Sequence, residues 1–332
     1  MSERLLTIKD LWIERREANG SPILRGINLY IEKGEKVGLV GESGCGKTLT
    51  ALAILGLLPE EVRITRGEII LWERGKSIAL HELPPRSPSW LKIRGRKISM
   101  IFQEPSAYLN PTLSIGIQVM EPLIYHFPDK SRRELKKMAM EIMEKVGLPY
   151  PEKIFSLYPH ELSGGMQQRA LIAMSLVLHP SLLIADEPTT SLDVTIQAHI
   201  LRLLDNLAEN LSMSLLLITH DLSIISQMVD RVYVMYQGMF LEWGDKKSLI
   251  EAPLHPYLET LIASIPRVEK TPRDQGVKVT PSSFSEENSL LKGCPFYPRC
   301  RKSLPPCPSE LPPAREVSPH HWVRCWIYEK DN

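Results

Sequence analysis

Residues 36–58 read KVGLVGESGCGKTLTALAILGLL, and this stretch decides the fold. Lys36–Val40 is a short apolar run of the kind that lies buried in a parallel sheet. It stops at Gly41, and Gly41–Thr48, GESGCGKT, is a full match to G-x-x-x-x-G-K-[ST]. Thr48–Leu58 is then apolar at helical spacing and ends at Pro59. A glycine loop between a buried strand and a helix suits phosphate. The glycines let successive N–H groups face one anion, and the helix N-terminus adds partial positive charge. Gly41, Ser43, Gly44, Cys45 and Gly46 make up that cradle, with Cys45 as a small packed residue. Lys47 is expected to reach the β- and γ-phosphates of a nucleotide, and Thr48 to place its hydroxyl on Mg²⁺.

Upstream, residues 5–40 read as strands with turns: Leu5–Ile13 and Ile27–Ile31 alternate, and Asn19-Gly20 and Lys33-Gly34 turn the chain. Downstream, residues 62–102 look like further strands, broken by a proline-containing loop at Pro84–Pro88. Helical period marks Ser131–Val146 and Gly164–Leu178, the latter ended by His179-Pro180. Strands and helices then alternate: Leu182–Ala185, Thr195–Leu211, Leu215–Ile218, Leu222–Val229 and Val232–Tyr236. That order predicts an α/β fold with a mainly parallel core sheet. There is no internal repeat and no low-complexity segment.

Leu182–Glu187, LLIADE, is a second chemical element. A buried strand delivers Asp186 at its carboxyl end, where open α/β sheets bind ligands. Asp186 is expected to hold Mg²⁺ through water, and Glu187 to polarise the attacking water as general base. Leu162–Gln168, LSGGMQQ, is a third. Ser163 is a good N-cap, and Gly164 and Gly165 free backbone N–H groups at a helix N-terminus. This is a second anion-binding end, which one phosphate loop does not need.

With that third element the pattern resembles the ATP-binding cassette (ABC) ATPases. The resemblance implies a P-loop NTPase core, an antiparallel β subdomain and an α-helical subdomain over about 104–180. It also implies that Ser163, Gly164 and Gly165 of one subunit close over the γ-phosphate held by the P-loop of another. Gln103, in IFQEP, corresponds to the glutamine that contacts Mg²⁺ and water and senses the membrane partner. Ser191-Leu192-Asp193 corresponds to the loop that crosses the dimer interface, and His220, in LLLITHD, to the histidine on the γ-phosphate. One departure concerns adenine, which the family stacks on an aromatic upstream of the P-loop. The matching place falls near Ala18 in ERREANG; Trp12 lies further upstream, so Arg15 or Arg16 is the alternative stacking group.

Composition bounds the rest. The 332 residues are 43% hydrophobic and 24% charged, with 40 Lys+Arg against 39 Asp+Glu and a net charge of +1. An overall polycation for nucleic acid is excluded. The basic runs Lys92–Lys97 and Lys130–Lys137 read as solvated faces, since neither is interleaved with aromatics. No apolar stretch approaches the roughly 20 residues of a membrane span, and MSERLLTIKD lacks the apolar core of a signal peptide. The expectation is a cytosolic chain whose membrane role comes from a partner. Four of the five cysteines fall between Cys294 and Cys325, and thirteen of 27 prolines in the last 80 residues. The expected division is therefore a nucleotide-binding domain over 1–255 and a C-terminal extension over 256–332.

The extension carries Cys294, Cys300, Cys307 and Cys325. Disulfides are disfavoured in a cytosolic chain, and the C-x₂-C knuckles of zinc ribbons are absent. Four thiolates also suit an iron–sulfur cluster, and a tail this small needs a staple. His320 and His321 are substitute ligands, whereas Trp322 and Trp326 read as packing residues. Several stretches, among them IFQEPSAYLNP (101–111), 158–201, LLLITHDLSII (215–225), HPYLETLIASIP (255–266) and GCPFYPRC (293–300), look like the ATP-binding subunits of dipeptide and oligopeptide permeases. That resemblance implies a [4Fe–4S] cluster on the four cysteines, with zinc as the alternative. It implies an ATPase that energises import of di- or oligopeptides, with nickel or oligosaccharide as other cargoes of the branch. The implied partners are a second ABC ATPase subunit, in a heterodimer or homodimer, two membrane permeases and, indirectly, a substrate-binding protein. No nucleic acid is expected, and the implied place is the cytoplasmic face of the membrane. A soluble ABC ATPase of repair or translation is the competing class, but such chains carry two cassettes or long coiled-coil insertions, and neither is here.

Overall fold

In a computed structural model, residues 3–17, 20–73, 75–190, 192–264 and 292–329 are described. The chain opens with β1 (Arg4–Arg15), β2 (Pro22–Glu32) and β3 (Lys36–Val40), followed by α1 (Lys47–Ile54). Next come β4 (Val62–Glu73), β5 (Lys76–Ala79) and β6 (Ile98–Ile101). A helical stretch holds α2 (Pro105–Tyr108), α3 (Ile115–His126), α4 (Arg132–Lys145), α5 (Pro151–Ile154) and α6 (Gly164–Leu176). Alternation resumes with β7 (Leu182–Asp186), α7 (Val194–Asn210), β8 (Ser214–Thr219), α8 (Leu222–Met228), β9 (Arg231–Tyr236) and β10 (Met239–Asp245). Then follow α9 (Lys246–Glu251), α10 (Pro256–Ala263), β11 (Arg315–Ser318) and β12 (His321–Val323). The chain divides into two compact units.

One unit contains residues 83–218 with two short segments, 1–3 and 32–35. Its strands β6, β7 and β8 are parallel, with Ile98 opposite Leu182 and Leu182 opposite Ser214. Every residue of the three is buried, as expected where helices cover both faces. The helices of 104–180 form because their apolar residues recur at helical period. In α4, Leu135, Ala139, Ile142 and Met143 are buried on one face. Ser131 and Glu134 close a capping box at its start, satisfying two otherwise orphaned N–H groups.

The other unit takes 4–31, 36–82 and 219–332. Among its described residues one sheet runs β2-β1-β4-β5, with β1 and β4 antiparallel. A second joins β3 to β9 in parallel, then β10 and β12 antiparallel, with β11 outermost. The C-terminal hairpin β11–β12 thereby covers the edge of β10, and Trp243 stacks on its cross-strand partner Trp322 with ring centroids 6.0 Å apart. Trp322, expected to pack against the core of the tail, packs instead on β10. The nucleotide-loop helix ends at Ile54 rather than Leu58, because Gly56 turns left-handed (φ 61°) and closes the last turn. Of the Asn19-Gly20 turn, Asn19 lies outside the described residues, and the Gly20 N–H donates to the Glu17 carbonyl. No helix among the described residues is long and apolar enough to cross a membrane.

Candidate functional site

The loop Gly41–Thr48 leaves β3 and enters α1 as its sequence demands. Gly46 has φ 110°, and a Cβ there would stand 2.5 Å from the Leu24 Cδ2 atom, so glycine is required on two counts. Cys45 is buried, its carbonyl accepts from the Gly238 N–H at 2.8 Å, and burial pushes its thiol pKa up. Ser43, Gly44 and Thr48 are exposed, so their polar groups face solvent where a ligand would come. Lys47 is only 5% exposed; its ammonium donates to the Gly41 carbonyl at 2.8 Å and the Glu42 carbonyl at 2.9 Å. A charge so buried needs such partners. His220, exposed, follows β8 directly, and Asp221 caps α8 through its side chain.

In the other unit β7 delivers Asp186, 3% exposed, at its carboxyl end. Glu187 follows in the left-handed region at φ 45°, which a glutamate occupies only when its surroundings impose it. Its N–H donates to the Ile218 carbonyl at 2.9 Å, locking the backbone. The Glu187 Oε2 atom accepts from Thr190 Oγ1 at 2.9 Å and from Gln103 Nε2 at 3.3 Å. Gln103 and Glu187, both named from sequence, therefore meet. Thr190 was not; only its position three residues on, in DEPTT, hints at the contact. At the third element, Ser163 Oγ accepts from the Met166 N–H and caps α6. Ser163 and Gly164 are exposed, whereas Gly165 is buried against Ile196 of α7. Asp193 caps α7 by accepting from the Ile196 N–H at 2.9 Å. Ser191 and Ala18 lie outside the described residues. Trp12 is tied to Asp10 and packs beside Gly26, and Arg16 donates to the Val62 carbonyl.

The four tail thiols are free, with Cys294 and Cys307 buried and Cys300 and Cys325 half-buried. Burial above all, with the neighbouring Cys307, Cys325 and Cys300 thiols adding to it, pushes Cys294 up to about 12. Cys325 is likewise pushed up to about 11, again by burial first and with Cys300 and Cys307 adding to it. The Leu304 N–H donates to Cys307 Sγ at 3.2 Å, and His255 Nε2 lies 3.9 Å from Cys294 Sγ. His255 Nδ1 accepts from the Tyr257 N–H, which leaves the proton on Nε2, toward the sulfur. Burial drives its pKa down to about 3, so the ring is neutral. Among the described residues no three His, Cys, Asp or Glu side chains already stand in metal-ligating geometry. His321 is committed elsewhere: it is buried and bonded to Glu242 Oε1 at 2.7 Å. Glu242, at 0% exposure, also accepts the N–H groups of Leu254 and His255, a buried knot with no sequence signal.

Known proteins carry the same pattern. Residues 24–190 match the family described as ABC transporter, and residues 241–307 the oligopeptide/dipeptide transporter C-terminal region. Over 321 residues the chain is 42% identical to the oligopeptide transport ATP-binding protein AppD of Bacillus subtilis (strain 168), covering 95% of this chain and 94% of that protein. The chain belongs to the ABC transporter family. It is an ATPase of that family, as the resemblance implied. The dipeptide transport ATP-binding protein DppD of the same organism is 39% identical over 332 residues, with 99% of this chain and 96% of that one covered. Among solved structures, the dimeric post-hydrolysis state of the ATP-binding cassette MJ0796, bound to ADP and Pi, is 28% identical with a TM-score of 0.63. It covers 73% of this chain and 99% of that one. For this ABC protein the first match takes in the P-loop, Gln103, Ser163–Gly165, Asp186 and Glu187. The second runs from β10 to Cys307 and so includes three of the four clustered cysteines.

Proposed function

We propose that this ABC ATPase energises import of di- and oligopeptides through membrane permeases, working as a peripheral subunit on the cytoplasmic face. The observation that carries the reading is one chain bearing both the Lys47 phosphate loop and the 241–307 tail of the oligopeptide/dipeptide branch. Lys47 binds the β- and γ-phosphates, and His220 the γ-phosphate. Thr48, Asp186 and Gln103 supply the hard oxygen donors that suit Mg²⁺, which would neutralise phosphate charge. Glu187 polarises the attacking water, held by Thr190 and Gln103. Ser163, Gly164, Gly165 and Asp193 serve the nucleotide of a second cassette, in a heterodimer or a homodimer. A substrate-binding protein hands the peptide to the permeases. The division proposed is a nucleotide-binding domain over 1–255 and an extension over 256–332.

Cys294, Cys300, Cys307 and Cys325 are the ligands proposed for a [4Fe–4S] cluster. The donor set fits: four free thiols lie in one small tail, two of them buried and two half-buried, and N–H groups at Cys307 and Cys294 suit thiolate sulfur. When bound, such a cluster would staple the tail. Iron and acid-labile sulfide in the purified protein test this; zinc without iron replaces the cluster with a zinc site. The function is tested by co-expression with its permeases in proteoliposomes. Peptide uptake that requires ATP and intact Glu187 supports it, and ATPase activity stimulated instead by DNA or ribosomes overturns it.

A further inference from the structure

Glu42, the second residue of the phosphate loop, is held from three sides. Its N–H donates to Tyr257 Oη of α10 at 3.0 Å. Its carbonyl accepts from Lys47 Nζ at 2.9 Å. Both of its carboxylate oxygens accept from Arg299 Nη1, each at 2.9 Å. Arg299 lies in the cysteine-bearing tail, at the end of the single turn Tyr297–Arg299 and next to Cys300. The tail is thus wired to the loop by a charge-assisted bond.

Arg299 has little freedom to be elsewhere. Its side chain is 17% exposed, and the same Nη1 reaches Tyr236 Oη at 3.4 Å. Backbone bonds close the turn around it, from Tyr297 N–H to Cys294 C=O and from Arg299 N–H to Phe296 C=O. Phe296, 3% exposed, meets Tyr236 edge-on at 5.4 Å and Tyr257 at 5.3 Å. Tyr236 and Tyr257 are themselves edge-to-face at 4.7 Å. The cluster joins the end of β9, α10 and the tail, and it presents two groups, Tyr257 Oη and the Arg299 guanidinium, to one residue of the loop. An exposed ion pair adds little, but a guanidinium held by packing loses less freedom when it pairs. With Lys47 engaging the Glu42 carbonyl, any loosening of Glu42 passes to the lysine that meets phosphate.

We propose that Arg299 is a positioning residue for nucleotide: the C-terminal tail braces the phosphate loop through Glu42 and so sets its affinity for ATP. The inference rests on the reading of Gly41–Thr48 as the ATP cradle. The experiment measures binding of a fluorescent non-hydrolysable ATP analogue, and the KM and kcat of hydrolysis, with the full chain. Arg299→Met is expected to weaken binding and raise KM by about three- to tenfold while kcat changes by less than about twofold. Glu42→Gln, which keeps one oxygen acceptor but loses the charge, should act in the same direction and less strongly, and the double variant no worse than Arg299→Met alone, because both act on the same ion pair. Arg299→Lys, which keeps a donor and a charge, should recover part of the affinity. Iron and zinc content should stay at the wild-type level, which separates a lost brace from a collapsed tail. Unchanged affinity in Arg299→Met, or additive effects in the double variant, overturns the brace alone. A wild-type protein that fails to bind the analogue overturns the brace and the cradle together.

Discussion

Gln103 Nε2 stands 3.3 Å from Glu187 Oε2, joining the end of β6 to the end of β7. The amide donates to the carboxyl oxygen and so helps to aim the group placed to act as general base. Glu187→Gln should bind ATP as the wild type does and hydrolyse it at least about 100-fold more slowly, the usual scale of lost general-base catalysis. Single-turnover phosphate release measures this. Turnover within about threefold of wild type would remove Glu187 from the chemistry.

Thr190 holds the same oxygen at 2.9 Å. Thr190→Val keeps the side-chain shape and deletes the donor, so Glu187 Oε2 loses the shorter of its contacts with Thr190 and Gln103. A neutral hydrogen bond is worth about 0.5–1.5 kcal/mol, which predicts a kcat reduced by about two- to tenfold with ATP affinity unchanged. A KM effect without a kcat effect would place Thr190 on the binding side instead.

Gly164 and Gly165 look interchangeable in sequence and are not. Among the described residues a Cβ on Gly164 meets only Leu192 Cδ2, at 3.7 Å, while one on Gly165 stands 3.0 Å from Ile196 Cγ2. Alanine is the better helix former by up to about 1 kcal/mol, so Gly164→Ala should raise the melting temperature slightly or leave it. In Gly165→Ala the crowding of Ile196 cancels or exceeds that gain, on a scale of about 1–3 kcal/mol, and the melting temperature should fall. Thermal denaturation of both, side by side, decides it. If Gly164→Ala keeps its stability and still loses ATP-driven dimerisation, the exposed glycine acts across the second cassette rather than within this one.

Where local pattern and local structure coincide, the sequence was readable. β7 and β8 are buried throughout and β3 from Val37 on, and each announced itself as an apolar run; helical period marked Ser131–Val146, where α4 lies. The loop residues followed from one motif, and Glu187 from its place after a strand. Contacts between distant segments left no such trace. Glu42 meets Arg299 across 257 positions, and Glu242 meets His321 across 79. Nothing periodic links them, since a charged residue in a loop or strand reads as solvated until its partner is known. The hairpin β11–β12 was missed for another reason: four and three residues are too few to show alternation.

His179 supplies a pH dependence. It precedes Pro180 in the left-handed region at φ 51°. Burial first, then the nearby Lys145, holds its pKa below the ordinary histidine value, with Glu141 opposing. The folded state therefore binds this proton less readily than the unfolded chain. Stability should be intact above about pH 7 and fall as pH drops through the ordinary value of about 6.5, levelling off below the depressed folded value. His179→Asn, which tolerates the left-handed backbone and does not titrate, should lessen the slope over that range, to which buried His255 also contributes. Melting temperatures between about pH 5 and 8 test it. An unchanged slope in the variant would assign the dependence to another group.

Lys47 offers the sharpest separation of binding from folding. In this structure its ammonium, 5% exposed, is spent on the Gly41 and Glu42 carbonyls of its own loop. Lys47→Met keeps the length and apolar stem but leaves one buried and one part-buried carbonyl without their donor and the phosphates without their cation. The first loss costs stability on the scale of about 1–3 kcal/mol, and the second costs affinity. A nucleotide analogue at saturating concentration should raise the melting temperature of the wild type, since a ligand that binds only the folded state stabilises it. The Lys47→Met variant should melt lower than wild type without nucleotide and gain almost nothing when it is added. A variant that melts lower but still gains as much as the wild type would confine Lys47 to holding the loop and move the phosphate contact elsewhere.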